Sequence, residues 1–413
     1  MIYYKLLNHD LKHYDFTYKE GLNVLSEPFN PDPMCGPGGL YFSDLDNIFK
    51  WVDLYNYESD LLIGIVTLPE DAKFVFIDIN NKIKYKSNKI ILSNIQRLDD
   101  MLSDPDIIMK AIKQNGLVLK YVEEQTEAIC IEAVKQYGMV LEHVKEQTEA
   151  ICMEAVKQNG LALQYVKEQT EAICMEAVKH DGSALKYVKE QTEAIRVEAV
   201  KQSGNALYYV KEKTDAICIE AVKHNSTALG YVKNQTEDIC IKAVKQNGMA
   251  LQHVKEQTDI ICMEAVKQNG MALQFVKEQT ENICIEAVKQ NGLALRFVKE
   301  QTENICIEAV KQNGIALRHV KEQTYIICME AVKQNGRVLQ LIKKQTEAFC
   351  IQAVKQNSWA LQLVKEQTEA ICMEAVKQDS SALILVNYKF YHICANYICA
   401  NYISTLSNKI VVD

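Results

Sequence analysis

The chain is bounded first by what it lacks. It has no excess of positive charge: 46 Lys and Arg stand against 54 Asp and Glu, a net charge of −8. Such a surface provides no steering field for phosphates, which argues against a nucleic-acid partner. It has no long apolar run. The longest, Leu61 to Leu68, is too short to cross a bilayer, so no membrane partner is expected. The start, Met1-Ile2-Tyr3-Tyr4-Lys5, lacks the basic segment and apolar stretch of a secretory leader, which points to an intracellular chain. Proline is scarce, six in 413 residues, and most of it precedes residue 104.

Cysteine is plentiful in number and poor in arrangement. Eleven of the 14 cysteines (130, 152, 174, 218, 240, 262, 284, 306, 328, 350 and 372) recur at one spacing of 22 residues. Equivalent residues in stacked repeats lie on the order of 9–10 Å apart or more. A disulfide needs Cα atoms within about 7 Å, and a structural zinc needs four ligands converging on one point. A single file of thiols meets neither condition. No metal site and no cofactor are therefore expected, and Cys reads as a small buried hydrophobe in a reducing compartment. Arg196 occupies the same phase in one repeat, where its guanidinium must be solvated or paired.

What is present is the repeat itself. Thr148 to Gln169 is a clean copy, and Thr recurs at 126, 148, 170, 192, 214, 236, 258, 280, 302, 324, 346 and 368. With an earlier copy from Asp104, 13 units of 22 residues run from 104 to 389. A fixed period in this range is the mark of a solenoid. Within a unit, Ile151, Cys152, Ala155 and Val156 form one buried helical face, Thr148 is placed to cap it, and Glu149 complements the macrodipole. Asn159-Gly160 ends this helix, with the glycine expected in the left-handed cap position. A second short helix is expected over 161–168, with Ala162, Leu163 and Val166 inward. A single continuous helix from Leu163 to Val178 is the rival; it would force a 44-residue structural period that nothing in the sequence follows, and Asp104-Pro105 marks a break at the Thr phase.

Ala at the 155 phase and Leu at the 163 phase occur in all 13 units and define the core. The 165 phase varies. Tyr165, Tyr187, Tyr209, Tyr231, His253, Phe275, Phe297 and His319 are the candidate binding residues, a row of aromatics in which function would sit. The three His residues at 143, 253 and 319 are too far apart to share a metal. After Leu385 the repeat degrades into Ile393-Cys394-Ala395-Asn396-Tyr397 and a second copy of that pentad. Its period fits neither helix nor strand, and the tail is expected to cap the last apolar face.

Residues 1–103 have no repeat. Ile2–Leu7, Leu22–Leu25, Leu61–Leu68 and Lys73–Ile79 read as strands, Asn80-Asn81 as a hairpin turn, and Ser43–Leu54 as a helix capped by Ser43 or Asp44. The string Pro33-Met34-Cys35-Gly36-Pro37-Gly38-Gly39-Leu40-Tyr41-Phe42-Ser43 demands a tight, shaped loop. No Gly-Lys-Ser/Thr follows, so it is not a phosphate-binding loop of that class.

Two resemblances attach to this region. His13-Tyr14-x-Phe16-x-Tyr18-Lys19-x-Gly21-Leu22-Asn23, Gly38-Gly39-Leu40-Tyr41-Phe42 and Asn88-Lys89-Ile90-Ile91-Leu92 together resemble the N-terminal module that precedes ankyrin arrays in mimivirus-like giant-virus proteins. Gly39-Leu40-Tyr41-Phe42-Ser43 is also similar to a string of ADP-ribosyltransferases, which would give Tyr41 the role of stacking on nicotinamide; the family's His-Gly strand and catalytic Glu have no counterparts here. Ala155-Val156-Lys157-Gln158-Asn159-Gly160-Leu161-Ala162-Leu163 resembles an uncharacterised short helical repeat of giant viruses, bacteria and protists, although Gln-Thr stands where that family often has Lys/Asn-Asp.

The sequence therefore predicts a mainly α protein: an α-solenoid of 22-residue helix-turn-helix repeats (104–389) preceded by a small α+β domain (1–98) and closed by a tail (390–413). The expected function is a non-enzymatic protein–protein interaction scaffold, which the resemblances imply is a giant-virus protein, in the host cytoplasm or associated with the virion. The alternative is a divergent ADP-ribosyltransferase at the N-terminus, with the solenoid as its targeting module.

Overall fold

The computed structural model describes residues 2–13, 16–33, 36–55 and 60–410. Tyr14, Met34 and Cys35, which fall within the motifs above, lie outside the described residues. By contact density the chain divides into Met1–Glu212 and Lys213–Asp413.

Among the described residues the first unit begins with nine strands: β1 (Tyr3–Leu7), β2 (Lys12–His13), β3 (Phe16–Thr17), β4 (Gly21–Val24), β5 (Leu40–Asp44), β6 (Leu62–Thr67), β7 (Phe74–Ile79), β8 (Lys82–Ser87) and β9 (Lys89–Arg97). Seven form one sheet in the order β4-β9-β6-β1-β5-β8-β7, and β2 pairs with β3. Neighbouring strands are antiparallel throughout the sheet. Leu7, Tyr18, Leu40, Phe42, Val66, Ile90 and Leu92 form its core. Asn80 and Asn81 both take positive φ, 53° and 64°. That is the backbone of a hairpin turn whose twist matches its strands, and it fixes the β7–β8 register.

The expected helix over 43–54 is shorter and of another kind. Ser43 and Asp44 end strand β5, where Ser43 Oγ donates to the Ile83 carbonyl at 2.7 Å. A 3-10 helix then runs from Ile48 to Tyr55.

This 3-10 helix joins the sheet domain to the first repeat helix, Pro105–Gln114. Gln114 Nε2 donates to the Leu45 carbonyl at 2.8 Å, and its Oε1 accepts from Phe49 N–H at 3.2 Å. Farther along, the glutamine at this phase accepts from the glycine N–H of the preceding repeat, as Gln158 does from Gly138 at 2.6 Å. The 3-10 helix of the sheet domain thus occupies the place of a preceding repeat.

Five repeat helices belong to the first unit, from Pro105–Gln114 to Glu193–Gln202; eight belong to the second, from Asp215–His224 to Glu369–Gln378. In the copy that opens at Thr148, the α-helix is Glu149–Gln158, and Thr148 Oγ1 accepts from Ile151 N–H at 3.3 Å. Asn159 is extended (φ −151°, ψ 111°), and its side chain accepts from Leu161 N–H at 3.0 Å. The second segment is a six-residue 3-10 helix, Gly160–Tyr165, and not an α-helix reaching 168. A period of three residues per turn puts Gly160, Leu163 and Val166 on one line, and all three are buried. No helix runs through the Thr phase, so the single-helix alternative is excluded.

Glycine at this phase, which Ser226, Ser358 and Ser380 replace in three units, serves for room rather than for handedness. Among the described residues only Gly21 and Gly38 are glycines with positive φ. A Cβ on Gly160 would lie 2.5 Å from the Ala177 carbonyl oxygen of the next repeat, far inside van der Waals contact. Ala at the 155 phase completes this close approach: Ala155 and Ala177 are fully buried.

In the second unit the tail is an unbroken helix, Tyr388–Ile410, contrary to the expectation that its pentad period excludes one. Five residues advance about 140° around an α-helix, so the two copies of the pentad face different ways. Cys394 is buried and Cys399 exposed accordingly.

Candidate functional site

Two features of the repeat fix what its surface can offer. The first is a glutamine clamp. In the first unit, Gln147 Nε2 donates to the Tyr165 carbonyl at 2.9 Å, while its Oε1 accepts from Lys167 N–H at 3.0 Å. Gln169 does the same to Tyr187 and Lys189. In the second unit Gln257 grips Phe275 and Lys277, and Gln301 grips His319 and Lys321. One amide thereby satisfies the two backbone groups that the 3-10 helix leaves open at its end.

The second feature is the thiol file. Cys152 Sγ points at Gln147 Oε1 at 3.7 Å, and Cys262 at Gln257 Oε1 at 3.7 Å. The cysteine is a buried small residue, as expected, and also a weak donor to the clamp. Burial raises these thiols above their ordinary range, to about 11 at Cys262, Cys306 and Cys372. A rise of about two units lowers the reactive thiolate fraction roughly 100-fold. Alkylation of the native chain at pH 8, followed by mass spectrometry, is therefore expected to label exposed Cys399 first. The buried file should label only after unfolding.

Arg196 replaces a thiol and is paired, as its position requires. Its Nη1 donates to the Glu212 carbonyl at 3.0 Å and to Glu212 Oε2 at 3.1 Å. Its Nε is buried without a partner.

With these phases spent on stacking, the 3-10 helices present the 165 phase together with the varying residue just before it, such as Gln164, Lys186, Tyr208 and Arg296, which is exposed. In the first unit Tyr165, Tyr187 and Tyr209 are half-buried. Burial and the neighbouring Glu142 carboxylate raise the Tyr165 hydroxyl above its usual range. Lys186 lies 4.5 Å over the Tyr187 ring, and Tyr208, 62% exposed, meets Tyr209 edge-on at 5.0 Å. In the second unit Tyr231 is exposed and His253, Phe275, Phe297 and His319 are half-buried. Arg296 lies 4.4 Å over the Phe297 ring. Burial, with Arg318 and Arg296, lowers the His319 pKa, which keeps the ring neutral near pH 7. The aromatics thus sit in files with a cation or second ring beside several of them. Among the described residues no group of His, Cys, Asp or Glu could hold a metal ion.

The N-terminal sheet holds a separate cavity of about 530 Å³. It brings together residues that the sequence left apart: Lys5, His13, Tyr41, Trp51 and Lys84, under the glycine-rich loop. Tyr41 is pinned by that loop: its hydroxyl accepts from Gly36 N–H at 2.9 Å and donates to the Gly36 carbonyl at 2.5 Å. His13 meets the Tyr41 ring edge-on at 6.5 Å, and the Lys84 ammonium lies 4.4 Å over that ring. Sequence reasoning singled out the loop and Tyr41. It missed Lys5, Trp51 and Lys84, which come from strand β1, the 3-10 helix and strand β8.

Comparison with known proteins places the array. The family model described as a domain of unknown function, DUF4116, matches residues 85–125, 127–170, 149–193, 170–214, 216–258, 236–279, 260–302, 280–325 and 302–347. The chain belongs to the DUF4116 family. Most matches span about two of the 22-residue units, so one DUF4116 domain corresponds to a pair of stacked repeats. Two proteins of Acanthamoeba polyphaga mimivirus named as ankyrin repeat proteins are similar to parts of the chain. One is 30% identical over 113 residues, covering 27% of this chain and 54% of the relative; the other is 52% identical over 137 residues, covering 29% and 40%. An uncharacterised protein of the same virus is 34% identical over 102 residues, covering 24% of this chain and 70% of the relative. The chain thus spans about half or less of the two named relatives. No solved structure matches. The chain is a giant-virus repeat protein with DUF4116 repeats, and no described helix is long and apolar enough to cross a membrane.

Proposed function

We propose that this protein is a non-enzymatic interaction scaffold that holds a protein partner through the variable 165 phase of its DUF4116 repeats, inside the infected cell or in association with the virion. The observation that carries the reading is the division of labour within the repeat. Ala, Leu, Gly, Gln and Cys are buried or hydrogen-bonded to the neighbouring repeat, whereas the varying aromatic at the 165 phase keeps part of its surface in solvent. Tyr, Phe and paired Arg are the residue types that anchor protein interfaces. The naming of the mimivirus relatives as ankyrin repeat proteins supports the same class of role.

Capture from amoebal cytosol on the immobilised full chain tests this. A specific protein should be retained, and retention should fall at least tenfold when Tyr165, Tyr187 and Tyr209, all in the first unit, are replaced by Ser. Equal capture by the triple variant would remove the aromatic file as the recognition surface.

A further inference from the structure

The cavity of the N-terminal sheet has a charge imbalance that the interaction role does not use. Lys5 is one of the largest fully buried side chains in the chain, 2% exposed. Its ammonium donates to the Tyr41 carbonyl at 2.9 Å and lies 4.2 Å over the Tyr18 ring. Lys84, on the cavity wall, lies 4.4 Å from both the Tyr41 and the Trp51 rings. Among the described residues neither amine has a carboxylate partner. Glu27 is the one carboxylate on the described wall, and its Oε1 already accepts from Gly38 N–H at 3.0 Å. Lys86 donates to the Asp32 carbonyl at 2.7 Å and lies 6.0 Å over the Tyr41 ring.

The two amines repel each other across the cavity, where Lys5 is buried and Lys84 half-buried. Desolvation, then the charge of Lys84, pulls the Lys5 pKa down to about 7. Burial, then Lys5 and Lys84, pulls His13 down to about 4, so His13 is neutral at pH 7. A buried, unpaired ammonium is costly, and an opposite charge within about 4–6 Å would relieve it. The rings and glycine backbone around the amines provide the mostly apolar wall with a few polar groups that small-molecule sites have.

We propose that this cavity binds a small organic oxyanion, a carboxylate or phosphate monoester on a planar body, with its anionic group between the Lys5 and Lys84 ammoniums. The body would lie against the Tyr18 and Trp51 side of the wall under the Gly36–Gly39 loop. The anion would draw a proton onto Lys5, so binding above pH 7 is accompanied by proton uptake and weakens as pH rises. The other titratable groups facing Lys5 are His13, Tyr18, Glu27, Tyr41 and Lys84. His13 stays neutral across this range and does not produce the effect.

The test is calorimetric titration of the full chain with three probes: benzoate, adenosine monophosphate and inorganic phosphate. Benzoate or the nucleotide should bind saturably. Binding of benzoate alone would assign the carboxylate form, and binding of the nucleotide more tightly than inorganic phosphate would assign the monoester. Repeating the titration at pH 8 in two buffers of different ionisation enthalpy should show net proton uptake. Lys84→Gln should weaken binding about tenfold or more, and Lys5→Met should weaken it and abolish the proton uptake. Lys84→Gln changes a side chain at the wall and keeps the proposal testable should Lys5→Met fail to fold. Absence of saturable binding by both organic probes, or binding indifferent to Lys84→Gln, overturns the proposal.

Discussion

Leu273→Ala is expected to destabilise the second unit by about 2–5 kcal/mol without unfolding the whole chain. Leu273 is fully buried between Ala265 and Ala287, both also without solvent exposure. Ala at the 155 phase lets backbones approach so closely that a Cβ on Gly270 would stand 2.3 Å from the Ala287 oxygen. The layers on both sides are therefore already at their closest approach and cannot collapse into the space a missing isobutyl group leaves. Because repeats interact with their neighbours, the loss should be confined to a few units. Amide hydrogen exchange should show faster opening over the repeats flanking 273 and unchanged protection in the sheet domain. Uniform loss of protection would mean that the chain unfolds as one block.

Gln235→Leu leaves two backbone groups without partners, at about 1–3 kcal/mol each when buried, a range of about 2–6 kcal/mol for the pair. Gln235 Nε2 donates to the His253 carbonyl at 2.9 Å, and its Oε1 accepts from Lys255 N–H at 2.9 Å. Leucine matches the volume and can do neither. It also removes the acceptor that faces Cys240 Sγ at 3.9 Å. The Lys255 end is exposed, where water can replace the amide in part, so the lower half of the range is the better guide.

Much of the array was legible in the sequence because its signals are local. Thr148, Glu149 and the Ile151–Val156 face dictate a capped ten-residue helix, and that helix is present. The 3-10 segment was not legible: over Gly160–Tyr165 a period of three and one of 3.6 place Ala162 and Leu163 inward alike. The role of Gly160 was misread because its constraint is a carbonyl in the next repeat, Ala177, which no local rule reports. The glutamine clamp carried a usable signal. Gln occurs eleven times at the 169 phase, as regularly as the cysteine, yet a polar residue between helices reads as linker. Of the cavity residues, Lys5, Tyr41 and Lys84 are joined only by sheet topology, through β1 beside β5 and β5 beside β8, while His13 comes from the β2–β3 pair and Trp51 from the 3-10 helix. In the tail, the buried Cys394 and exposed Cys399 show why a pentad can persist in a helix without a shared face.

The account rests on one division: the 169 phase holds repeats together, and the 165 phase beside it is free to vary and to bind. Urea unfolding of the full chain carrying Gln235→Leu or His253→Ser, residues that meet in one hydrogen bond, measures it directly. The predicted result is a loss of about 2–4 kcal/mol for Gln235→Leu and a change within about 1 kcal/mol for His253→Ser. An equal or larger loss for His253→Ser would contradict it, because the varying aromatic would then be part of the stack.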